Sequence, residues 1–158
     1  MRFVSTLTLL LPLALSGCGT GGDTGSHLAS PPPNLRFIGS TISIATGSGA
    51  LVTLAKGATI DLPCGLSNFR AQYKYGNSGP IGAGLHKNIS FSTGGSAYSF
   101  AQAALAAGAT RVTWASFGAI VTPNVPTTIT IRLDGTDLVS ESDETDNAWF
   151  ASVVRKCP

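Results

Sequence analysis

The chain alternates apolar and polar residues in short runs, which favours β-strands over long helices. No segment keeps apolar residues at positions i, i+3, i+4 and i+7 through three helical turns. The clearest alternation spans residues 128–133, in which Ile129, Ile131 and Leu133 share one face of an extended strand. The pattern predicts sheets with one packed face and one solvated face.

Apolar runs bounded by turn residues predict eight strands. They cover residues 35–44, 51–54, 59–62, 71–75, 85–91, 111–117, 127–133 and 148–154. The alanine-rich segment 100–108 is the one place where the sequence predicts a short helix, close to the minimum helix length. Short strands with this spacing predict an all-β, antiparallel β-sandwich.

The N-terminus has the layout of a secretory signal peptide. Arg2 precedes an apolar run at 7–15, too short to cross a bilayer, and small residues follow.

The sequence Leu15-Ser16-Gly17-Cys18 resembles the lipobox of bacterial lipoproteins. The resemblance implies removal of residues 1–17 and a lipid on Cys18, hence a lipid-anchored protein of the cell envelope. In bacterial lipoproteins, an aspartate directly after the lipidated cysteine favours retention in the inner membrane. This position is Gly19 here. The resemblance therefore implies the outer membrane if the cell has two membranes. The alternative is an ordinary signal peptide that happens to contain a cysteine.

The mature chain is predicted to be a tether followed by one domain. Residues 18–33 are rich in glycine and end in three prolines, as expected of a flexible stalk that stiffens toward its end. Residues 34–158 are the size of a single domain. Without Arg2, nine basic residues face eight acidic ones, a balance that argues against a nucleic-acid partner.

Two cysteines remain once Cys18 is assigned to lipid. Cys64 and Cys157 would lie in a compartment that permits disulfides, so their pairing is the economical hypothesis.

Six of the eight acidic residues fall between Asp134 and Asp146, directly after the clearest strand. The run resembles the closing signature of CARDB domains, the cell-adhesion-related domains of bacteria, in which a strand ends in aspartate before a Glu-Ser-x-Glu-x-Asn-Asn motif. The matching residues here are Asp134, Glu141, Ser142, Glu144 and Asn147. Weaker agreements are the turns 77–79 and 105–108, while Asp146 replaces the first asparagine of the pair and the stretch around Cys64 looks inserted.

The resemblance covers residues 34–154 and implies an immunoglobulin-like or fibronectin type III-like sandwich that is usually not catalytic. Two interpretations of the acidic run stay open. Its side chains could accept backbone N–H bonds and brace a long strand connection. Alternatively, Asp134, Glu141, Glu144 and Asn147 could bind calcium, although their spacing does not match an EF-hand loop. No other cofactor is predicted.

The residue types needed for catalysis are scarce. The two histidines, His27 and His86, form no catalytic triad and no multi-histidine metal motif. Glu141 and Glu144 could formally act as the carboxylate pair of a glycosidase. Such pairs flank a cleft, however, and nothing in the sequence predicts one here. The aromatic residues could form a sugar-binding platform at the surface, although most of them are expected to pack in the core. The candidates are Tyr73, Tyr75, Tyr98, Trp114 and Trp149. The sequence therefore predicts a non-catalytic adhesion or binding module with a protein or glycan ligand, or else an accessory subunit of an envelope assembly.

Overall fold

The computed structural model describes residues 29–45, 50–66, 68–118 and 122–158. The predicted signal peptide, Cys18 and most of the predicted tether lie outside these residues. Within them, no helix has the length and apolar character needed to span a membrane.

In the described part of the chain, ten strands form two facing sheets, which confirms the all-β sandwich. The strands are β1 (Leu35–Phe37), β2 (Thr41–Ala45), β3 (Leu51–Ala55), β4 (Thr59–Pro63), β5 (Phe69–Asn77), β6 (His86–Ser92), β7 (Tyr98–Gln102), β8 (Thr110–Phe117), β9 (Thr127–Arg132) and β10 (Ala148–Lys156). The first sheet contains β1, β2, β3, β5 and β8, and the second has the order β4-β10-β9-β6-β7.

The strand predicted over residues 35–44 is interrupted. β1 pairs with the C-terminal end of β5 and β2 with its N-terminal end, while β8 pairs with β5 along nearly its whole length. The break between β1 and β2 contains Gly39, whose φ of +88° suits glycine and not a β-branched residue. Both strands run antiparallel to β5 along the same edge, so the interruption divides one strand without reversing the chain or moving it to the other sheet.

Two features differ from the sequence-based expectations. β4 pairs with β10 in parallel, so the sandwich is only mostly antiparallel. The helix predicted over residues 100–108 is wrong, because its first residues belong to β7, which pairs with β6. The rest forms a bridge from Leu105 to Ala83 and a turn ending at Gly108, which has a φ of +70°. Pairing with a neighbouring strand outweighs the helix propensity of a few alanines.

The core lies between the sheets, and the alternation of each strand decides which side chains enter it. Ile129 and Ile131 of β9 and Trp149 of β10 are almost completely buried. The predicted disulfide is formed between Cys64 and Cys157, with 4.6 Å between their Cα atoms. It joins the chain just after β4 to the chain just after β10, and so closes the end of the parallel pair.

Candidate functional site: the acidic connection

The acidic connection, residues 134–147, joins β9 to β10 and begins at a buried carboxylate. Asp134 is 1% exposed and has a φ of +39°, which is uncommon for a residue with a side chain. Its Oδ2 accepts a 2.6 Å hydrogen bond from the amide of Val139, and its own amide donates to Oδ1 of Asn88 at 3.2 Å. Asp134 therefore folds the first half of the connection back and ties it to β6.

Glu141 ties the second half to the start of the domain. Its carboxylate accepts a hydrogen bond from the amide of Leu35, the first residue of β1, 106 positions earlier in the chain. Next to it, the amide of Ser142 donates to the carbonyl of Pro33 at 3.0 Å. Pro33, in the predicted tether, is buried. These bonds hold the entry of the chain against the connection.

Asn147 separates the two glutamates. Its Nδ2 donates to Oε1 of Glu141 at 3.2 Å and to Oε2 of Glu144 at 2.9 Å. The other oxygen of Glu144 accepts a 3.3 Å hydrogen bond from the amide of Glu141. An amide group thus lies between two carboxylates that would otherwise repel each other.

The electrostatics of the connection are dominated by burial. Burial raises the pKa of Glu141 to about 7, and the charges of Glu144 and Asp134 act in the same direction, while hydrogen bonds from Leu35 and Asn147 oppose the shift. Burial also raises the pKa of Asp146. The connection therefore contains carboxylates that are costly to ionise in the folded state.

The predicted calcium ligands are only partly brought together. Asn147 contacts Glu141 and Glu144, but through its N–H donors. Across the described ranges, no group of three or more His, Cys, Asp or Glu side chains is arranged to hold a metal ion. Oδ1 of Asp134, Oδ1 of Asp146 and Oδ1 of Asn147 are nevertheless buried without a hydrogen-bond partner. The geometry is that of a brace, with three free acceptor oxygens inside it.

Comparison with solved structures identifies the architecture. The CARDB domain of the PF1109 protein from Pyrococcus furiosus, crystallised in complex with di-metal ions, superposes with a TM-score of 0.50 at 18% identity, covering 79% of this chain and 96% of that one. The chain has a CARDB-like fold. A solution NMR structure of the same domain matches at 19% identity with a TM-score of 0.49, covering 78% and 97% of the two chains. No protein-family model and no curated protein sequence matches the chain.

Asparagine side chains organise the end of the CARDB-like domain near the acidic connection, and the sequence analysis did not select them as site residues. Asn77, at the end of β5, is 1% exposed, and Asn88 is fully buried in β6. Besides binding Asp134, Asn88 donates to the hydroxyl of Tyr73 at 2.8 Å. In the sequence, the turn at 77–79 is only a weak agreement with the family. The Asn-Ser-Gly run just after a predicted strand is the signal that points to Asn77.

The other candidate residues divide between core and surface. Tyr73, Tyr75 and Trp149 are buried in the CARDB-like core, whereas Tyr98 is 38% exposed and Trp114 is half-buried. A polar cluster surrounds buried His86. Its Nε2 lies 3.2 Å from the hydroxyl of Tyr75, and its Nδ1 lies 3.0 Å from the carbonyl of Gly84. His27 lies outside the described residues.

We expect the stability of the CARDB-like domain to fall as the pH rises from about 4.5 to about 7. The folded-state pKa of Glu141 is about 7 and its ordinary value is 4.5, so the folded state holds the proton more tightly. The contribution of Glu141 to the free energy of unfolding is fully present below its ordinary pKa of 4.5. It is lost as the pH rises through the folded-state pKa of about 7. Asp146, with its raised pKa, acts in the same direction.

Glu141→Gln isolates this effect, because glutamine keeps an acceptor for Leu35 without a titrating charge. Urea unfolding at a series of pH values should give a flatter profile for the variant than for the wild type. Superimposable pH profiles for the two proteins would contradict the raised pKa.

Proposed function

We propose that the protein is a non-catalytic, lipid-anchored module of the cell envelope whose CARDB-like domain binds a ligand. The observation that supports the proposal is the order of segments: a sequence ending at Cys18 that resembles a lipobox, then a glycine- and proline-rich run, then the sandwich. Acyl chains on Cys18 would hold the protein in the membrane, and the tether would span roughly 20 Å as a random coil. The outer membrane is the proposed location where the cell has two membranes.

The lipid anchor is tested by replacing Cys18 with alanine. We expect the wild type, expressed in a bacterium with a lipoprotein pathway, to partition into the detergent phase, because several acyl chains give stable membrane attachment. The Cys18→Ala variant should remain aqueous and lack the lipid mass. Equal partitioning of the two proteins would rule out the anchor.

We propose that the acidic connection serves this module as an internal brace. Asp134 and Glu141 each accept a backbone hydrogen bond from a distant part of the fold, which supports this role. Calcium at Asp134, Glu141, Glu144 and Asn147 is the second candidate, favoured by the free buried oxygens of Asp134 and Asn147. Melting curves in calcium and in chelator separate the brace from the metal site.

A further inference from the structure

The outer face of the first sheet carries two matched rows of side chains. Arg70, Gln72 and Lys74 of β5 lie opposite Ser116, Trp114 and Val112 of β8, respectively. The alternate residues of both strands, such as Tyr73 and Ala115, are buried in the core. We call these six outward residues the β5–β8 face. It is separate from the acidic connection, which joins two strands of the other sheet.

An aromatic ring lies in the middle of the β5–β8 face, and an apolar side chain lies at one end of it. Trp114 is half-buried, and the guanidinium of Arg70 lies 5.3 Å from its ring centre. Val112, two residues earlier on the same strand, is 57% exposed. A half-buried aromatic beside polar groups keeps part of its surface for stacking, and the adjacent cation offers a charge.

The β5–β8 face is cationic. Arg70 and Lys74 are exposed, and a rise of about 3.3 Å per residue places them roughly 13 Å apart along β5. Among the described residues, the acidic side chains lie elsewhere, with Asp61 on β4 of the second sheet and the others in the acidic connection. An anionic partner would therefore meet no carboxylate on this face.

Hollows with hydrogen-bonding groups extend the β5–β8 face at both ends. One hollow of about 390 Å³ is lined by Asn68, Arg70, Tyr98 and Ser116 together with Phe69 and Phe117. Another of about 160 Å³ is lined by residues that include Ser43, Gln72 and Lys74. Hydroxyl and amide groups thus flank both cations along an extended track. Such a track suits a chain of hydroxylated, charged units better than a compact ligand.

We propose that the β5–β8 face binds an acidic polysaccharide, with a sugar ring stacked on Trp114 and sugar carboxylates paired with Arg70 and Lys74. The proposal deepens the proposed function, on which it rests, by naming the ligand class of the module. One half-buried tryptophan and one valine are too little apolar surface for insertion into a bilayer, which would bury an apolar face. Two cations on a chain of nearly balanced charge are too few for nucleic acid.

Titration of the full chain with polygalacturonate, followed by calorimetry and tryptophan fluorescence, tests the proposal. We expect saturable binding that weakens with salt, and no comparable binding to neutral dextran. Trp114→Ala should weaken binding by about tenfold through loss of the stacking contribution. The double variant Arg70→Gln, Lys74→Gln should weaken it by at least about tenfold, because both ionic contributions are lost. Fluorescence should change on binding because Trp114 is accessible, whereas Trp149 is 1% exposed.

The second sheet provides a matched control. Lys56 lies 5.6 Å from the ring centre of Phe150, which is 48% exposed on β10, so this pair has the same chemistry on the opposite side. Lys56→Gln and Phe150→Ala should leave polygalacturonate binding unchanged. Circular dichroism of each variant establishes that it is folded before its affinity is compared.

The proposal is overturned if wild type does not bind polygalacturonate, if dextran binds equally well, or if the control variants lose as much affinity as the face variants. Binding to phosphatidylglycerol vesicles that requires Trp114 and Arg70, without polygalacturonate binding, would also overturn it in favour of a lipid surface. Detergent partitioning of Cys18→Ala is unaffected by these results, so failure of the ligand assignment is distinguishable from failure of the anchored module.

Discussion

Replacing Cys64 and Cys157 together with serine lowers the free energy of unfolding by about 4–5 kcal/mol, the chain-entropy value for a loop of this size. The two cysteines are 93 residues apart in sequence, so the disulfide restricts most of the unfolded domain. The disulfide also holds β4 beside β10. These strands are parallel, so no tight turn connects them and brings them together. Chemical denaturation of the purified double variant and wild type measures the difference.

Reduction of the wild-type disulfide provides the control for the cysteine substitutions. Oxidised wild type should be the more stable protein, and reduced wild type should unfold at the same denaturant concentration as the serine variant. Two free thiols in denatured, unreduced wild type would contradict the pairing. Equal stability of oxidised and reduced protein would contradict its energetic role.

Replacing Asn77 with alanine lowers the free energy of unfolding by about 3 kcal/mol, because several buried groups lose their partners at once. Its Oδ1 accepts hydrogen bonds from the amides of Asn34 and Gly79, both at 3.0 Å. Its Nδ2 donates to the carbonyls of Ile81 at 2.7 Å and Leu105 at 3.2 Å. One side chain thus joins the entry of β1 to two turns that are distant in sequence.

Ser78→Ala is the matched control for Asn77. Ser78 is exposed and its hydroxyl makes only a 3.5 Å contact with the carbonyl of Asn34, so its loss should cost less than about 0.5 kcal/mol. Urea unfolding of the two variants beside wild type makes the comparison. Similar stabilities for Asn77→Ala and Ser78→Ala would show that the buried network contributes little.

Much of the fold was predictable because the alternation of apolar residues is local information. The run ending at Leu133 predicts a strand with Ile129 and Ile131 on its buried face, and both are fully buried in the structure. Pairing is not local information. Nothing in residues 98–102 indicates that β6 lies beside them, so their alanine-rich continuation suggested a helix. The parallel contact of β4 with β10 likewise depends on the whole sandwich.

The site was predictable in position but not in its contacts. The clustering of acidic residues predicts the position of the connection. It does not predict the groups that bind the carboxylates, which include Leu35, Val139 and Asn147. Leu35 and Val139 act through backbone amides, which carry no sequence signal. Asn34 and Asn77 contact each other across 43 positions, and such contacts follow from topology and not from a motif.

The role of the acidic connection is tested most directly by melting curves of wild type, Asp134→Ala and Glu141→Ala, each in calcium and in chelator. Asp143→Ala is the control, because Asp143 is exposed and bonds only to nearby Thr145. The brace account predicts that Asp134→Ala and Glu141→Ala each lose about 1–3 kcal/mol equally in both buffers, while the control melts with wild type. If chelator instead lowers the melting temperature of wild type but not of the two variants, the connection is a calcium site. If all four proteins melt together in both buffers, it is a solvated loop and the account is wrong.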